Sequence, residues 1–270
     1  MRSAPVTPNG DVIRWVELPG TGPTQGPGQR PARVYVHGLG VSSPAYFTEA
    51  ALHPLLAGRR SLLVDLLGFG LSDRPTDFDY TLESHADALA EALTAGGAEG
   101  AEVIGHSMGG SIAVVLAARH PHLVSELVLV DANLDPIPEP GPPGAGSSGI
   151  ASFTEESFLA GDWEQVRAAV GAPWWSTMRL AGLEALHRSA VHLTRATVPT
   201  MRELLLDLKI PRTFLYPAAD GTFPGTAGLL EAGVRMVPIP DCGHNIMLDN
   251  PDAFARAVSD ALGRAEQEGR

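Results

Sequence analysis

Short apolar runs alternate with segments of helical periodicity over the first half of the chain and again near its end. The apolar runs predict strands at 12–18, 33–36, 61–65, 101–104, 127–131, 212–216 and 234–239. The segments of helical periodicity are 44–56, 82–93, 111–118 and 252–262. Continuous apolar strands alternating with helices are typical of a parallel sheet that helices cover on both faces. The pattern therefore predicts an α/β fold.

The alternation stops after residue 131 and resumes at 212. Residues 135–149 are rich in Pro, Gly and Ser, which predicts a linker or flexible loop, and residues 19–31 predict an exposed loop between two early strands for the same reason. Short segments of helical character then occupy 153–159, 163–170, 173–181, 183–193 and 201–208. We expect a sheet domain of residues 1–134 and 209–270, with residues 135–208 inserted as a helical cap after the strand at 127–131, which is the sixth strand if one further strand precedes it unseen in the pattern.

The composition of the chain argues against some classes of binding partner. The 270 residues include 31 acidic and 19 basic side chains, a net charge of −12. Nucleic acids and anionic membranes need a basic surface, so neither is expected as a partner. The apolar runs are shorter than the roughly 18 residues of a membrane span, and the N-terminal segment lacks the apolar core of a signal peptide. We expect a cytoplasmic protein that acts on a small molecule, and the sequence leaves a homodimer open.

One short motif carries most of the chemical information. Residues Gly105-His106-Ser107-Met108-Gly109 match Gly-x-Ser-x-Gly, with a predicted strand before them and a predicted helix after them. Such a turn holds the serine in a strained conformation with its hydroxyl pushed outward, and the glycines remove Cβ atoms that would clash with the adjoining strand and helix. The serine also lies at a helix N-terminus, which favours negative charge. Ser107 is therefore predicted to be a nucleophile.

A serine hydroxyl needs a base, an acid that orients the base, and N–H donors for the oxyanion. His244, in the loop after the last predicted strand, is the expected base, and His106 is expected to pack beside the turn. Two carboxylates follow neighbouring strands and could reach the imidazole from the same side, Asp220 and Asp131. No cluster has metal-ligand spacing and no dinucleotide motif follows the first strand, so neither metal nor cofactor is expected.

With these motifs the chain resembles the α/β-hydrolase superfamily, and in particular its cap-bearing esterases, lactonases and carbon–carbon-bond hydrolases. The landmarks in chain order are His37-Gly38-Leu39-Gly40, residues 65–75, the turn at Ser107, Asp220, and Gly243-His244. The resemblance covers nearly the whole chain. It implies an eight-stranded, mostly parallel sheet and the order Ser, Asp, His for the catalytic residues. On this basis Asp220 is the favoured acid and Asp131 the alternative.

The resemblance also assigns supporting roles. The backbone N–H groups of Leu39 and Met108 are expected to form the oxyanion hole, and Asp65 with Arg74 is expected to organise the turn that follows. His37 is expected to hold the shape of the oxyanion loop beside the pocket. The side chains predicted to surround the substrate are His37, Phe153, Trp163, Trp174, Trp175 and Met178.

Together these features predict a serine hydrolase that cleaves an ester, lactone or related acyl bond of a small to medium hydrophobic substrate through an acyl-enzyme. One alternative is a non-hydrolytic enzyme on the same three residues, such as a cyclase, lyase or perhydrolase. The other is a ligand-binding protein that keeps the fold and has lost turnover.

Overall fold

The computed structural model describes residues 1–22, 30–137 and 139–268. The predicted loop at 19–31 therefore lies largely outside the described residues. The strands are β1 (Arg2–Pro5), β2 (Val12–Leu18), β3 (Arg33–Val36), β4 (Ser61–Asp65), β5 (Ala101–His106), β6 (Val124–Val130), β7 (Arg212–Pro217) and β8 (Arg235–Ile239). They form one eight-stranded sheet in the order β1-β2-β4-β3-β5-β6-β7-β8.

The sheet is mostly parallel, as predicted. β1 pairs with β2 and β2 with β4 in antiparallel fashion, while the pairs from β4 and β3 through to β8 are parallel. The carboxyl ends of the parallel strands meet at one edge of the sheet, where open α/β sheets bind their ligands. β5 lies near the middle, between β3 and β6, so the loop that follows it opens near the centre of that edge.

Helices cover both faces of the sheet, which confirms the predicted fold class. The helices are α1 (Ser43–Leu52), α2 (Leu82–Ala95), α3 (Met108–Arg119), α4 (Gly146–Ile150), α5 (Glu155–Ser157), α6 (Trp163–Met178), α7 (Leu183–Thr194), α8 (Met201–Asp207), α9 (Thr226–Glu231), α10 (Ile246–Asp249) and α11 (Pro251–Glu268). On one face α2 and α3 pack on Val34 and Val36 of β3. On the other face α1 and α11 pack on Tyr35, because successive strand residues point to opposite faces.

Most predicted boundaries lie within a few residues of the observed ones. The predicted N-cap of α2 is confirmed, since the Thr81 hydroxyl accepts a hydrogen bond from the Ser84 N–H at 3.1 Å. The helix predicted at 44–56 ends earlier, at Leu52, and the strand predicted to begin at 127 begins at Val124.

Between β6 and β7 the described residues form helices and no strand. The segments predicted at 163–170 and 173–181 join as α6, whose backbone breaks at Gly171, where φ is 74°. The helix predicted at 153–159 is one turn, α5, that continues into a π-helical turn at Phe158–Asp162. The loop predicted at 135–149 is interrupted by α4, which buries Ile150 completely. No helix of the described residues is both long and apolar enough to cross a bilayer.

Candidate active site

Ser107 links β5 directly to α3 with φ 53° and ψ −122°, a backbone conformation that residues other than glycine rarely adopt. The neighbouring glycines make the turn possible. A Cβ at Gly105 would lie 2.6 Å from the Gly109 carbonyl oxygen, and a Cβ at Gly109 would lie 2.4 Å from the carbonyl oxygens of Val36 and His37. The serine is 8% exposed. The tight turn thus places its side chain at the carboxyl edge of the sheet.

Ser107 borders a cavity of about 850 Å³ that His244 also borders. The loop after β3 forms one wall, the residues after β6 a second, and α6 a third. Further lining residues include Val41, Tyr46, Ile137, Val170, Pro173, Thr177, Leu193, Leu248 and Asp249. Among the described lining residues there is neither Lys nor Arg. Most of the lining side chains are apolar, and the carboxylate among the described lining residues is that of Asp249.

The carboxylate that contacts the His244 ring is Asp131. Nδ1 of His244 lies 2.6 Å from Asp131 Oδ2. In this structure the contact is thus made by the alternative acid Asp131 and not by the favoured Asp220. The reason is topological: Asp131 directly follows β6, the strand next to β5, and turns with φ 44°. Asp220 follows β7, one strand farther away, in an exposed one-turn helix at Ala218–Asp220.

The Ser107 hydroxyl donates to a residue that the sequence analysis missed. Its Oγ lies 3.1 Å from Oδ1 of Asn133. The backbone of Asn133 is held in turn by the Ser111 hydroxyl, which donates to the Asn133 carbonyl at 2.6 Å. An asparagine three residues beyond a strand carries no sequence signature, so nothing in the chain distinguished it from an ordinary loop residue. Asn133 also lines the cavity.

His106 supports the loop that carries His244. Its Nε2 lies 3.0 Å from the His244 carbonyl oxygen, and the two ring centroids are 4.6 Å apart. Burial, with the neighbouring His244 second, lowers the pKa of His106 to about 3. The ring is therefore neutral at pH 7 and donates through Nε2–H. This agrees with the prediction that His106 packs beside the turn.

The two residues predicted to supply the oxyanion donors lie on either side of the serine. Leu39 is in the loop after β3 and lines the cavity. Met108 is the first residue of α3, so its N–H has no partner within the helix. Open N–H groups at a helix start attract negative charge. These positions suit the assigned role.

His37 does not line the cavity, contrary to one of its predicted roles, because it is fully buried. Its Nδ1 lies 2.7 Å from the Gly38 carbonyl oxygen, and its Nε2 accepts from the Leu66 N–H at 3.0 Å. Burial lowers the pKa of His37, which keeps this donor and acceptor pattern. The ring therefore holds the shape of the loop after β3, which agrees with its other predicted role.

Of the other side chains predicted to surround the substrate, Trp174 lines the cavity and the remaining four do not. Trp163 stacks on Trp175 with ring centroids 5.8 Å apart and planes 9° apart. Phe153 packs on Phe158, and Met178 is 1% exposed. Phe153, Trp163 and Trp175 thus pack on other aromatic rings of the segment between β6 and β7, and Met178 is buried beside Gly40.

The turn after β4 behaves as expected. One Asp65 oxygen accepts from the Ser43 N–H at 2.8 Å, and the other accepts from the Leu71 N–H at 2.8 Å. Arg74 binds the Gly70 carbonyl. The carboxylate therefore organises the loop and does not face the cavity. Within the described residues no group of three or more His, Cys, Asp or Glu is arranged to hold a metal ion.

Comparisons with known proteins agree with the observed fold. A family model for the alpha/beta hydrolase fold matches residues 34–230. A 2-hydroxymuconate semialdehyde hydrolase of Pseudomonas sp. (strain CF600) is 41% identical over 265 residues, which cover 86% of each chain. An esterase from Exiguobacterium antarcticum superposes with a TM-score of 0.75 at 20% identity, over 97% of this chain and 100% of that one. A meta-cleavage product hydrolase from Pseudomonas fluorescens IP01 superposes at 0.66 with 19% identity, over 98% of each chain. The two structures share the fold.

Proposed function

Because this chain belongs to the alpha/beta-hydrolase fold family, we propose that it is a serine hydrolase that cleaves the ester or lactone bond of a neutral, largely apolar small molecule. One observation carries the proposal. Ser107, on its strained turn, and His244, with a carboxylate on its far nitrogen, border the same apolar cavity. The proposed nucleophile and the proposed base therefore border one cavity that can hold a substrate.

The reaction follows from these positions. His244 Nε2 takes the proton of the Ser107 hydroxyl as Oγ attacks the carbonyl carbon, and the carbonyl electron pair moves onto its oxygen. The N–H groups of Leu39 and Met108 hold this oxyanion, and each such donor contributes about 3 kcal/mol to the transition state. When the oxyanion collapses, the bond to the alcohol oxygen breaks, and the imidazolium gives the alcohol its proton.

An acyl-enzyme on Ser107 remains. Water then attacks the acyl carbon while His244 takes a proton from it, and collapse of the second oxyanion returns the electron pair to Ser107 Oγ. The proton passes back to Oγ and the carboxylic acid leaves. The Asp131 carboxylate accepts a hydrogen bond from Nδ1–H of the imidazole throughout, which keeps Nε2 facing the reaction.

In the same proposal residues 135–208 act as a cap over this site. Val170, Pro173, Trp174 and Thr177 of α6 line the cavity, so the inserted helices form its roof. The break at Gly171 lies within this wall. A roof that excludes water strengthens the electrostatic interactions below it.

The lining also favours a neutral substrate. The described lining residues include Asp249 and no Lys or Arg, and an anion buried without a cationic partner is strongly disfavoured. The relative at 41% identity is named for a muconate semialdehyde, whose carboxylate would find no cation here. Hydrolysis of a carbon–carbon bond beside a ketone, as in that relative, is the second candidate function, and its support is that sequence similarity.

A matched pair of esters tests the proposal. We expect p-nitrophenyl valerate to be hydrolysed with a kcat/KM at least about tenfold above that of the p-nitrophenyl monoester of glutaric acid, in which a carboxylate replaces the terminal methyl group. Ser107→Ala should lower turnover by more than about a thousandfold. Ser176→Ala, which removes another hydroxyl from the same cavity, should not.

Three outcomes would contradict the proposal. Full turnover by the Ser107→Ala variant would show that Ser107 is not the nucleophile. Turnover of a 2-hydroxy-6-oxo-dienoate without turnover of any ester or lactone would favour the carbon–carbon-bond reaction. Labelling of Ser107 by a fluorophosphonate without hydrolysis of any ester, lactone or ketone tested would favour a non-hydrolytic enzyme on the same residues.

A further inference from the structure

We propose that Trp174, on the inserted helix α6, is a positioning residue that aligns the oxyanion donor Leu39. The indole Nε1–H donates to the Leu39 carbonyl oxygen at 3.3 Å. This contact joins the roof of the cavity to the loop that is to hold the oxyanion. The inference rests on the proposed serine chemistry and adds to it a residue that does not touch the reacting atoms.

Both peptide planes that flank Leu39 are held by an aromatic ring N–H. The peptide before Leu39 contains the Gly38 carbonyl, which accepts from His37 Nδ1–H at 2.7 Å. In a trans peptide the N–H points opposite to the carbonyl, so His37 aims the Leu39 N–H away from the core. The peptide after Leu39 contains the carbonyl that Trp174 binds. With both planes fixed, φ and ψ of Leu39 are fixed too.

The two anchors come from different parts of the fold. His37 is fully buried in the sheet domain, whereas Trp174 belongs to the helices between β6 and β7. Close packing supports the second anchor. Gly40 has φ 70°, and a Cβ there would lie 3.2 Å from Met178 Cε and 3.3 Å from Leu186 Cδ2 and from Trp174 Nε1. Side chains of α6 and α7 thus close directly on the residue after Leu39.

The segment of α6 that carries Trp174 is separated from the rest of the helix by the backbone break at Gly171. Trp174 also lines the cavity, so bound substrate would contact the same ring that holds Leu39. The next residue, Trp175, stacks on Trp163 and does not line the cavity. The same side chain, Trp174, therefore lines the cavity and holds the proposed oxyanion donor Leu39. Trp175, which does neither, is the matched control.

The test compares Trp174→Phe with Trp175→Phe. Trp174→Phe removes the N–H donor and keeps an aromatic ring, so we expect kcat for a p-nitrophenyl ester to fall about three- to tenfold, the usual effect of one neutral hydrogen bond. KM should change by less than twofold. Trp175→Phe should leave both constants unchanged. Incorporation of benzothienylalanine at 174, which replaces the N–H by sulfur in the same shape, should repeat the effect without disturbing packing.

A transition-state analogue separates positioning from simple packing. Ser107 Oγ adds to the carbonyl carbon of an alkyl trifluoromethyl ketone, and the ketone oxygen then becomes an oxyanion beside the Leu39 N–H. The corresponding alcohol binds without forming an oxyanion. We expect Trp174→Phe to raise the Ki of the ketone by the factor by which kcat falls, and to leave the Kd of the alcohol unchanged.

Equal weakening of ketone and alcohol would make Trp174 a cavity wall only and would overturn the inference. Equal ketone affinity in the Trp174→Phe and Trp175→Phe variants would overturn it as well, with the serine chemistry intact. A wild-type enzyme that the ketone does not inhibit would overturn the proposed serine chemistry and this inference together.

Discussion

The Ser107 hydroxyl donates to Oδ1 of Asn133 at 3.1 Å, so the proposed nucleophile is hydrogen-bonded to an amide in this structure. Asn133 lies two residues beyond Asp131, whose carboxylate contacts His244. The turn after β6 therefore contacts both the proposed nucleophile and the proposed base. Before Oγ can attack, its hydrogen must leave the Asn133 oxygen and turn to His244 Nε2. Asn133 thus competes with the base for the same proton.

Loss of the Asn133 amide should make Ser107 more reactive. A neutral hydrogen bond is typically worth about 0.5–1.5 kcal/mol, so Asn133→Ala should speed fluorophosphonate labelling of Ser107 by roughly two- to tenfold. Asn133→Asp should slow it, because a carboxylate accepts the hydroxyl proton more strongly and its charge opposes the oxyanion. Second-order labelling rates at fixed pH measure both effects. Slower labelling of Asn133→Ala would show that the amide assists the attack.

The two candidate acids can be told apart by paired substitutions. Asp131→Asn removes the charge 2.6 Å from His244 Nδ1 and allows the wrong tautomer, so kcat should fall by about three to four orders of magnitude. Asp220→Asn, in the exposed turn after β7, should stay within twofold of the wild type. Ester hydrolysis by each purified variant measures this. The reverse ranking would mean that Asp220 replaces Asp131 at the imidazole during turnover.

The sheet could be predicted from the sequence because its signals are local. The strands at 12–18, 33–36 and 61–65 were predicted with the observed bounds, since each is a buried apolar run between turn residues. Ser107 was identified from the glycines beside it, whose missing Cβ atoms the turn demands. These features depend on neighbours in the chain, which the sequence displays directly.

The contacts between side chains could not be predicted in the same way. Asp131 and Asp220 follow adjacent strands at one sheet edge, and periodicity does not tell which of them meets a loop histidine more than a hundred residues away from Asp131. Trp174 and Trp175 are equally apolar, yet one lines the cavity and the other stacks on Trp163. Which of two neighbours faces the substrate depends on how α6 packs on the loop after β3, a tertiary relation without a local signal.

Two helical glycines should respond oppositely to the same substitution. A Cβ at Gly109 would meet two backbone oxygens at 2.4 Å that cannot move without disrupting β3, so Gly109→Ala should lower the free energy of unfolding by about 3 kcal/mol or more and abolish activity. A Cβ at Gly228, in α9, would have no atom within 4 Å beyond its chain neighbours and its own helix backbone. Gly228→Ala should raise stability by about 0.5–1 kcal/mol. Urea unfolding measures both changes in stability. A Gly109→Ala variant as stable as the wild type would contradict the close approach of Gly109 to the two carbonyl oxygens.

Stability should depend on pH through His85, which is fully buried on α2 beneath the inserted helices. Its Nε2 lies 3.0 Å from the Ser189 hydroxyl of α7, and burial lowers the pKa of His85 to about 3. The unfolded chain, with a histidine pKa near 6.5, therefore binds a proton between pH 6.5 and 3 that the folded chain does not. Within that window stability is lost as pH falls.

His85→Gln should remove this dependence while its amide keeps a hydrogen-bonding group near Ser189. Between pH 6.0 and 4.5 the unfolding free energy of the wild type should fall by about 2 kcal/mol more than that of the variant, one proton's worth over this range. Urea titrations at pH 7.5, 6.0 and 4.5 give the difference. His122→Gln, at an exposed position, is the control substitution and should follow the wild-type curve. Parallel wild-type and His85→Gln curves would mean that the folded protein opens to protonate His85 at little cost, contrary to its full burial.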